Sequence, residues 1–152
     1  MEVTKSIEIA VPPETLWPYI SEPLSILEWY IPLIKFEYTS EQRNKVGAPF
    51  YYEEKTPGGT MKLSCVITEW DENKQFAFKM TSGNMLKSYQ ERWIVEATSS
   101  GSRFTFMEKG ELDLGIIGKI IGSLAARSSA ATVDKMLVKL KSLAEEKLRL
   151  KR

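Results

Sequence analysis

IGKIIGSLAARSSAATVDKMLVKLKSLAEEKL, residues 117–148, is the stretch on which the fold turns. Its second half repeats apolar side chains at helical spacing: Val133, Met136, Leu137, Leu140, Leu143, Ala144 and Leu148. Asp134, Lys135, Lys139, Lys141, Glu145 and Glu146 fill the other positions. One face of a long helix is therefore built to lie on a partner. The first half differs, because nearly every side chain over residues 122–132 is small. A helix of that composition either packs closely against what it crosses or leaves room beside it. Before Leu112 the apolar residues alternate at period two instead. Short strands followed by one long amphipathic helix predict a small curved sheet closed by that helix, an α+β architecture.

Nearer the start, Val3, Ile7, Ile9 and Val11 alternate with Thr4, Ser6 and Glu8, the pattern of a strand buried on one face. Pro12-Pro13 ends that strand. Proline at the first helical position, followed by Glu14-Thr15-Leu16-Trp17, predicts a short helix through Ile20. Ser21-Glu22-Pro23 breaks it, and residues 24–30 form a second short helix before Pro32. Alternation then returns in Ile34, Phe36 and Tyr38; in Phe50, Tyr52 and Glu54; and in Met61, Leu63, Cys65 and Ile67. It continues in Phe76, Phe78 and Met80; in Tyr89, Glu91, Trp93 and Val95; and in Phe104, Phe106, Glu108 and Gly110. The breaks carry Pro57-Gly58-Gly59, Asp71-Glu72-Asn73, Ser82-Gly83-Asn84 and Ser99-Ser100-Gly101, residues that tolerate tight turns. Consecutive antiparallel hairpins follow.

A chain of 152 residues suits one domain, residues 1–152, and buries roughly two-thirds of its unfolded surface. Its formal charge of +1, with both signs interspersed, gives no basic patch, so no nucleic-acid partner is expected. The sequence has no histidine and a single cysteine, Cys65. Ser-His-Asp triads, Cys-His dyads and histidine-bearing zinc sites are thereby excluded, and no metal or other cofactor is expected. Cys65 reads as a small buried apolar residue. Glu2, Lys5, Glu8 and Glu14 interrupt the apolar residues at the start, so no secretory leader is read and a cytoplasmic protein is expected. The most apolar run, residues 112–126, is interrupted by Asp113 and Lys119 and is too short to span a bilayer, so no stable membrane insertion is expected.

Several of these features occur together in one known family. Ser6-Ile7-Glu8-Ile9 leads into Val11-Pro12-Pro13-Glu14, followed by Leu16-Trp17, Tyr19-Ile20, and Trp29 with Pro32. Gly47, Ile67-Thr68-Glu69-Trp70-Asp71 before Phe76, and Gly101-Ser102-Arg103-Phe104-Thr105 complete the set. Over nearly its whole length the chain resembles the START-like, Bet v 1-like (SRPBCC) superfamily, and within it the polyketide cyclase/dehydrase and lipid-transport members. The resemblance implies a helix-grip fold: a seven-stranded antiparallel sheet curled around a long terminal helix, two short helices after the first strand, and an elongated apolar pocket. It also implies a lipid, polyketide or quinone-like ligand and, in a minority of members, cyclisation or dehydration.

Such a pocket would draw on the inward faces of the strands. Phe36, Tyr38, Phe50, Tyr52, Leu63, Tyr89, Trp93, Phe104 and Phe106 are the apolar and aromatic candidates, each equally suited to plain core. Leu124, Arg127 and Ser128 on the terminal helix complete the candidate wall, with Arg127 placed to meet an anionic ligand. Glu54, Glu91 and Glu108 alternate in phase with apolar neighbours, and a buried carboxylate is costly unless paired or protonated. Three roles are open to them: a hydrogen bond to a ligand, general acid–base work, or pairing with Arg92, Arg103 or Arg127. Glu54, close to the Pro57 turn, is expected at the solvent rim, leaving Glu91 and Glu108 as the catalytic candidates. Trp17 and Trp29 are expected to seat the short helices, and Tyr30, Ile31 and Leu33 to form an entrance lid or a capped core edge.

Three functions fit these residues. The first is binding or transport of a hydrophobic small molecule. The second is an aromatase/cyclase or dehydratase-type enzyme. The third is a recruitment module for a membrane or redox complex, docking through residues 114–121, with any protein partner left open.

Overall fold

Each alternating run folds as a strand that pairs antiparallel with the next. In the computed structural model, the backbone is described for residues 1–113 and 115–150 and the side chains for residues 1–113 and 128–146. Strand β1 (Glu2–Ile9) leads into helices α1 (Pro13–Ser21) and α2 (Pro23–Trp29). Then come β2 (Leu33–Tyr38), β3 (Pro49–Thr56), β4 (Gly59–Asp71), β5 (Gln75–Gly83), β6 (Leu86–Thr98) and β7 (Gly101–Leu112), before helix α3 (Gly115–Leu150). The sheet order is β1-β7-β6-β5-β4-β3-β2, a meander whose last strand returns to pair with the first. This is the expected helix-grip-like α+β fold.

α3 is held on the sheet as its period predicts. Val133, Met136, Leu137, Leu140 and Ala144 are buried, and at this spacing they share one face. Polar contacts fix its position along β1: Lys5 Nζ lies 3.5 Å from Asp134, Glu145 Oε1 accepts from Ala10 N at 2.8 Å, and Lys141 Nζ donates to Glu8 O at 2.8 Å. α1 and α2 form the expected V, with Leu16, Ile20, Ile26 and Trp29 buried between them and the sheet. Trp29 Nε1 donates to Tyr19 O at 2.8 Å, and Trp17 meets Trp70 edge-on at 5.4 Å. Both tryptophans are packing residues.

Two local expectations change. Ile34 is not inward: a bulge between Leu33 and Lys35 breaks the period, so that Leu33 is buried and Ile34 is 47% exposed. Ser82 and Gly83 are not turn residues either, because β5 runs on through Gly83 and the chain reverses at Asn84 and Met85, the latter at φ 65°. Asn84 closes that corner by accepting from Lys62 N at 2.7 Å and donating to Thr60 O at 3.1 Å. Gly101 is required by close approach, since a Cβ there would fall 2.3 Å from Ile9 O. Among the described residues, no helix is long and apolar enough to cross a membrane. The proposed docking patch, residues 114–121, lies outside the described side chains.

Candidate functional site

Tyr89, Glu91 and Trp93 alternate on β6 with exposed Gln90 and Arg92, so the first three face the concave side of the sheet. Glu91 pairs across the ladder with Glu108 on β7, and Tyr89 with Gly110. A Cβ on Gly110 would lie 2.9 Å from the Tyr89 ring, so the missing side chain makes room for the phenol to reach across. Tyr89 Oη then stands 2.7 Å from Glu91 Oε1 and 2.7 Å from Glu108 Oε2. Tyr30, at the C-terminal cap of α2, donates its hydroxyl to the same Glu91 oxygen at 2.5 Å. Tyr30 Oη is also 3.5 Å from Glu54 Oε2, and Glu54 pairs with Leu33 across the β2–β3 ladder.

Three carboxyls thus converge on two phenols. Of the arginines offered as partners, two are engaged on the outer surface, Arg92 with Glu69 at 2.7 Å and Arg103 with Glu8 at 2.7 Å and Glu96 at 3.6 Å, and Arg127 lies outside the described side chains. Among the described residues, no ion pair reaches Glu54, Glu91 or Glu108. Burial is the largest influence on each acid, and it favours the neutral form. Glu91 is held well above the ordinary carboxyl range by burial, with the charge of Glu108 next, while Tyr30 and Tyr89 donate to it and pull it back. Glu108 is raised by burial, against the opposing pull of Tyr89, Ser129 and the α-amino group of Met1. Glu54 is pushed up to about 8 by burial and by Glu108, with Tyr30 opposing. Burial also lifts the phenols of Tyr30, Tyr52 and Tyr89, which remain neutral donors.

The hydrogen bonds leave specific atoms over. Glu91 Oε2, Glu108 Oε1, Tyr52 Oη and Trp93 Nε1 are all buried without a partner among the described residues. Native interiors leave few such groups. A void of about 10 Å³ touches Tyr30, Tyr52, Glu91 and Trp93, with Ile26, Leu33, Phe36 and Phe78 as its apolar wall. Its room is roughly that of one water-sized group. Beyond it the aromatic side chains pack on one another: Phe36 stacks on Phe50 at 4.8 Å, and Phe76 meets Trp93 at 5.2 Å.

The candidate residues separate accordingly. Phe36, Phe50, Tyr52, Leu63, Tyr89, Glu91, Trp93, Phe104, Phe106 and Glu108 are all buried, and the polar ones among them are brought together. Tyr38 is not: it is half-buried, and its hydroxyl donates to Asn44 Oδ1 at 3.2 Å in the β2–β3 loop. Ser128 is exposed, while its neighbour Ser129 is half-buried. Leu124 and Arg127 lie outside the described side chains. Glu54 is half-buried, and its carboxyl also turns toward the interior, 3.5 Å from Tyr30 Oη. Tyr30 is not a lid residue, being 3% exposed and bonded to Glu91. It lies on no strand, so alternation carried no signal for it. Its place next to Trp29, at the end of a helix that must cover the sheet, was the available clue. Among the described residues, no cluster could hold a metal ion.

A concave sheet gripping a long helix, with a polar cluster inside an aromatic interior, matches a known family over almost the whole chain. The model of the polyketide cyclase/dehydrase and lipid transport family matches residues 1–145. The chain belongs to this family. Solved structures with the family's fold include a protein of Thermus thermophilus, at TM-score 0.80 and 17% identity, covering 95% of this chain and 97% of that one. A START superfamily protein from Mycobacterium smegmatis aligns at TM-score 0.77 and 15% identity, over 95% and 97% of the two chains. The di-domain ARO/CYC StfQ from the steffimycin biosynthetic pathway aligns at TM-score 0.76 and 15% identity, over 97% of this chain and 52% of that one. At these identities the likeness is one of fold. No curated protein matches the sequence. Family membership supplies a ligand-binding fold.

Proposed function

We propose that this protein binds or carries a hydrophobic small molecule, lipid, polyketide or quinone-like, between the curved sheet and α3, with the polar end of the ligand at the Glu91–Glu108 cluster. One observation carries the reading: Glu91 Oε2, Glu108 Oε1 and Tyr52 Oη are buried, unpartnered and surrounded by aromatic wall. A few convergent polar atoms in an apolar lining are the usual form of a site that fixes one end of an apolar ligand. Cys65, buried and unpaired, fits a reducing, cytoplasmic setting. The test is native mass spectrometry of protein purified from its own host, with extraction of whatever leaves on denaturation. A stoichiometric apolar adduct is expected, and a clean mass even in the presence of a broad lipid extract would refute the reading.

A second reading, an aromatase/cyclase or dehydratase-type enzyme, is favoured by the contacts of Tyr89. A phenol has one proton to give, so with both carboxyl oxygens at 2.7 Å it donates to one and accepts from the other. The glutamate it accepts from is then protonated, an acid poised beside the other carboxyl. Glu108→Gln abolishes turnover under this reading and changes ligand binding only modestly under the first.

A further inference from the structure

The sheet ends at β2, which has β3 on one side and, among the described residues, no strand on the other. Which backbone groups face the open side follows from one bond: Thr39 N donates to Pro49 O at 3.1 Å. In an antiparallel ladder, residues that exchange such bonds alternate with residues that do not. From Lys35 to Tyr38 the register with β3 is unbroken, and the Thr39 bond continues it. Lys35 and Glu37 therefore bond toward β3 as Thr39 does, while the N–H and C=O of Phe36 and Tyr38 point out of the edge. Lys35 and Glu37 are exposed, one on each side of buried Phe36.

We propose that β2 pairs antiparallel with β2 of a second copy of this chain, on a two-fold axis at Phe36. Phe36 then exchanges both backbone bonds with the partner's Phe36. Lys35 stands directly opposite the partner's Glu37, in the closer kind of cross-strand pair, and the symmetry repeats that pair on the other side of the axis. Moving the axis by one residue still matches outward-facing backbone groups. It sets Lys35 against the partner's Lys35 in one direction, however, and Glu37 against the partner's Glu37 in the other. The charges thus select a single register. A lone lysine on an edge strand keeps other strands away, whereas here Glu37 offers the partner's Lys35 its counter-charge. Ile34, 47% exposed, falls opposite the partner's Tyr38, so apolar surface that one copy leaves in water is covered. The interface is short, which places it in the weak, concentration-dependent class. Pairing joins the two sheets into one continuous sheet and removes the open edge from both.

The experiment is sedimentation equilibrium of the full chain over a concentration series at low salt, with amide hydrogen exchange read by NMR. Reversible dimerisation is expected, and the Phe36 and Tyr38 amides, free in a single copy, should exchange more slowly as concentration rises. Lys35→Glu and Glu37→Lys should each weaken the dimer roughly tenfold, because each sets like charges opposite one another on both sides of the axis. An equimolar mixture of the two variants should recover the association, since each chain then carries the charge the other lacks. Both residues are exposed, and their ion pair within one chain is a surface contact at 3.6 Å, so the variants keep the fold, which circular dichroism checks. A monomer at every concentration overturns the proposal. A dimer that ignores both charge reversals overturns it too, by placing the contact elsewhere. A mixture no tighter than its components rejects the two-fold register and the proposal with it.

Discussion

Glu54 holds a proton that an exposed glutamate would have released. Its carboxyl titrates near 4.5 when free and at about 8 in the fold. Between those values the folded protein keeps a proton that the unfolded chain has lost, so stability falls as pH rises through this window and levels off above it. Glu91 and Glu108 are shifted the same way and add to the slope. With no histidine in the sequence, few other side chains titrate there. Urea midpoints measured across the window should decline with pH, and Glu54→Gln should flatten the decline. A midpoint that rises would reverse the assigned shift. Glu91 and Glu108 were readable as inward carboxyls because alternation places them beside Tyr89, Trp93 and Phe106. The inward position of Glu54 was hidden by its nearness to the Pro57 turn. What makes it part of the cluster is Tyr30, a residue 24 positions away and 3.5 Å distant, and no local pattern reports that contact.

At the scale of elements, β6 and β7 carry Tyr89, Glu91 and Glu108, and the end of α2 brings Tyr30 to them. Gly110 is the point where two of these demands meet: a side chain there would collide with Tyr89 Cδ2 at 2.9 Å and crowd Ser88 O at 3.2 Å. Gly110→Val should therefore cost about 1–3 kcal/mol through overpacking, read as a lower urea midpoint, and should shift the Tyr89 ring resonances in an NMR spectrum. An unshifted ring would show that the pocket for the phenol is wider than the contact distances say. The strands, the helical V and the anchored half of α3 follow from period, proline placement and turn residues. The bulge at Leu33 and Lys35 did not, because a bulge is chosen by which residue must face the core across from β3. Gly110 read as one more strand position, and its purpose is visible only against the register Tyr89↔Gly110.

For the whole molecule, folding leaves buried polar atoms unpaired, each costing about 1–3 kcal/mol. A bound ligand that pairs them stabilises the fold by mass action, about 2.7 kcal/mol at a hundredfold excess over its dissociation constant. For a chain of 152 residues each kcal/mol moves the melting temperature by roughly 2–4 °C. Protein stripped of lipid by denaturing extraction and refolding should melt several degrees below the same protein as purified from its host, and re-addition of the extract should restore the difference. Equal melting before and after stripping would mean that the cluster tolerates its orphan atoms unaided. The architecture and the β6–β7 half of the polar cluster are set by alternation and chain order, whereas ligand identity depends on shape at atomic scale. The tryptophans add one consequence. Trp93 touches the void and lies edge-on to Trp29 at 5.3 Å, while Trp17 and Trp70 form a separate edge-on pair at 5.4 Å. Indole emission is sensitive to nearby charge and polarity, so the first pair reports optically on what occupies the interior and the second serves as a reference. The chain carries its own ratiometric sensor.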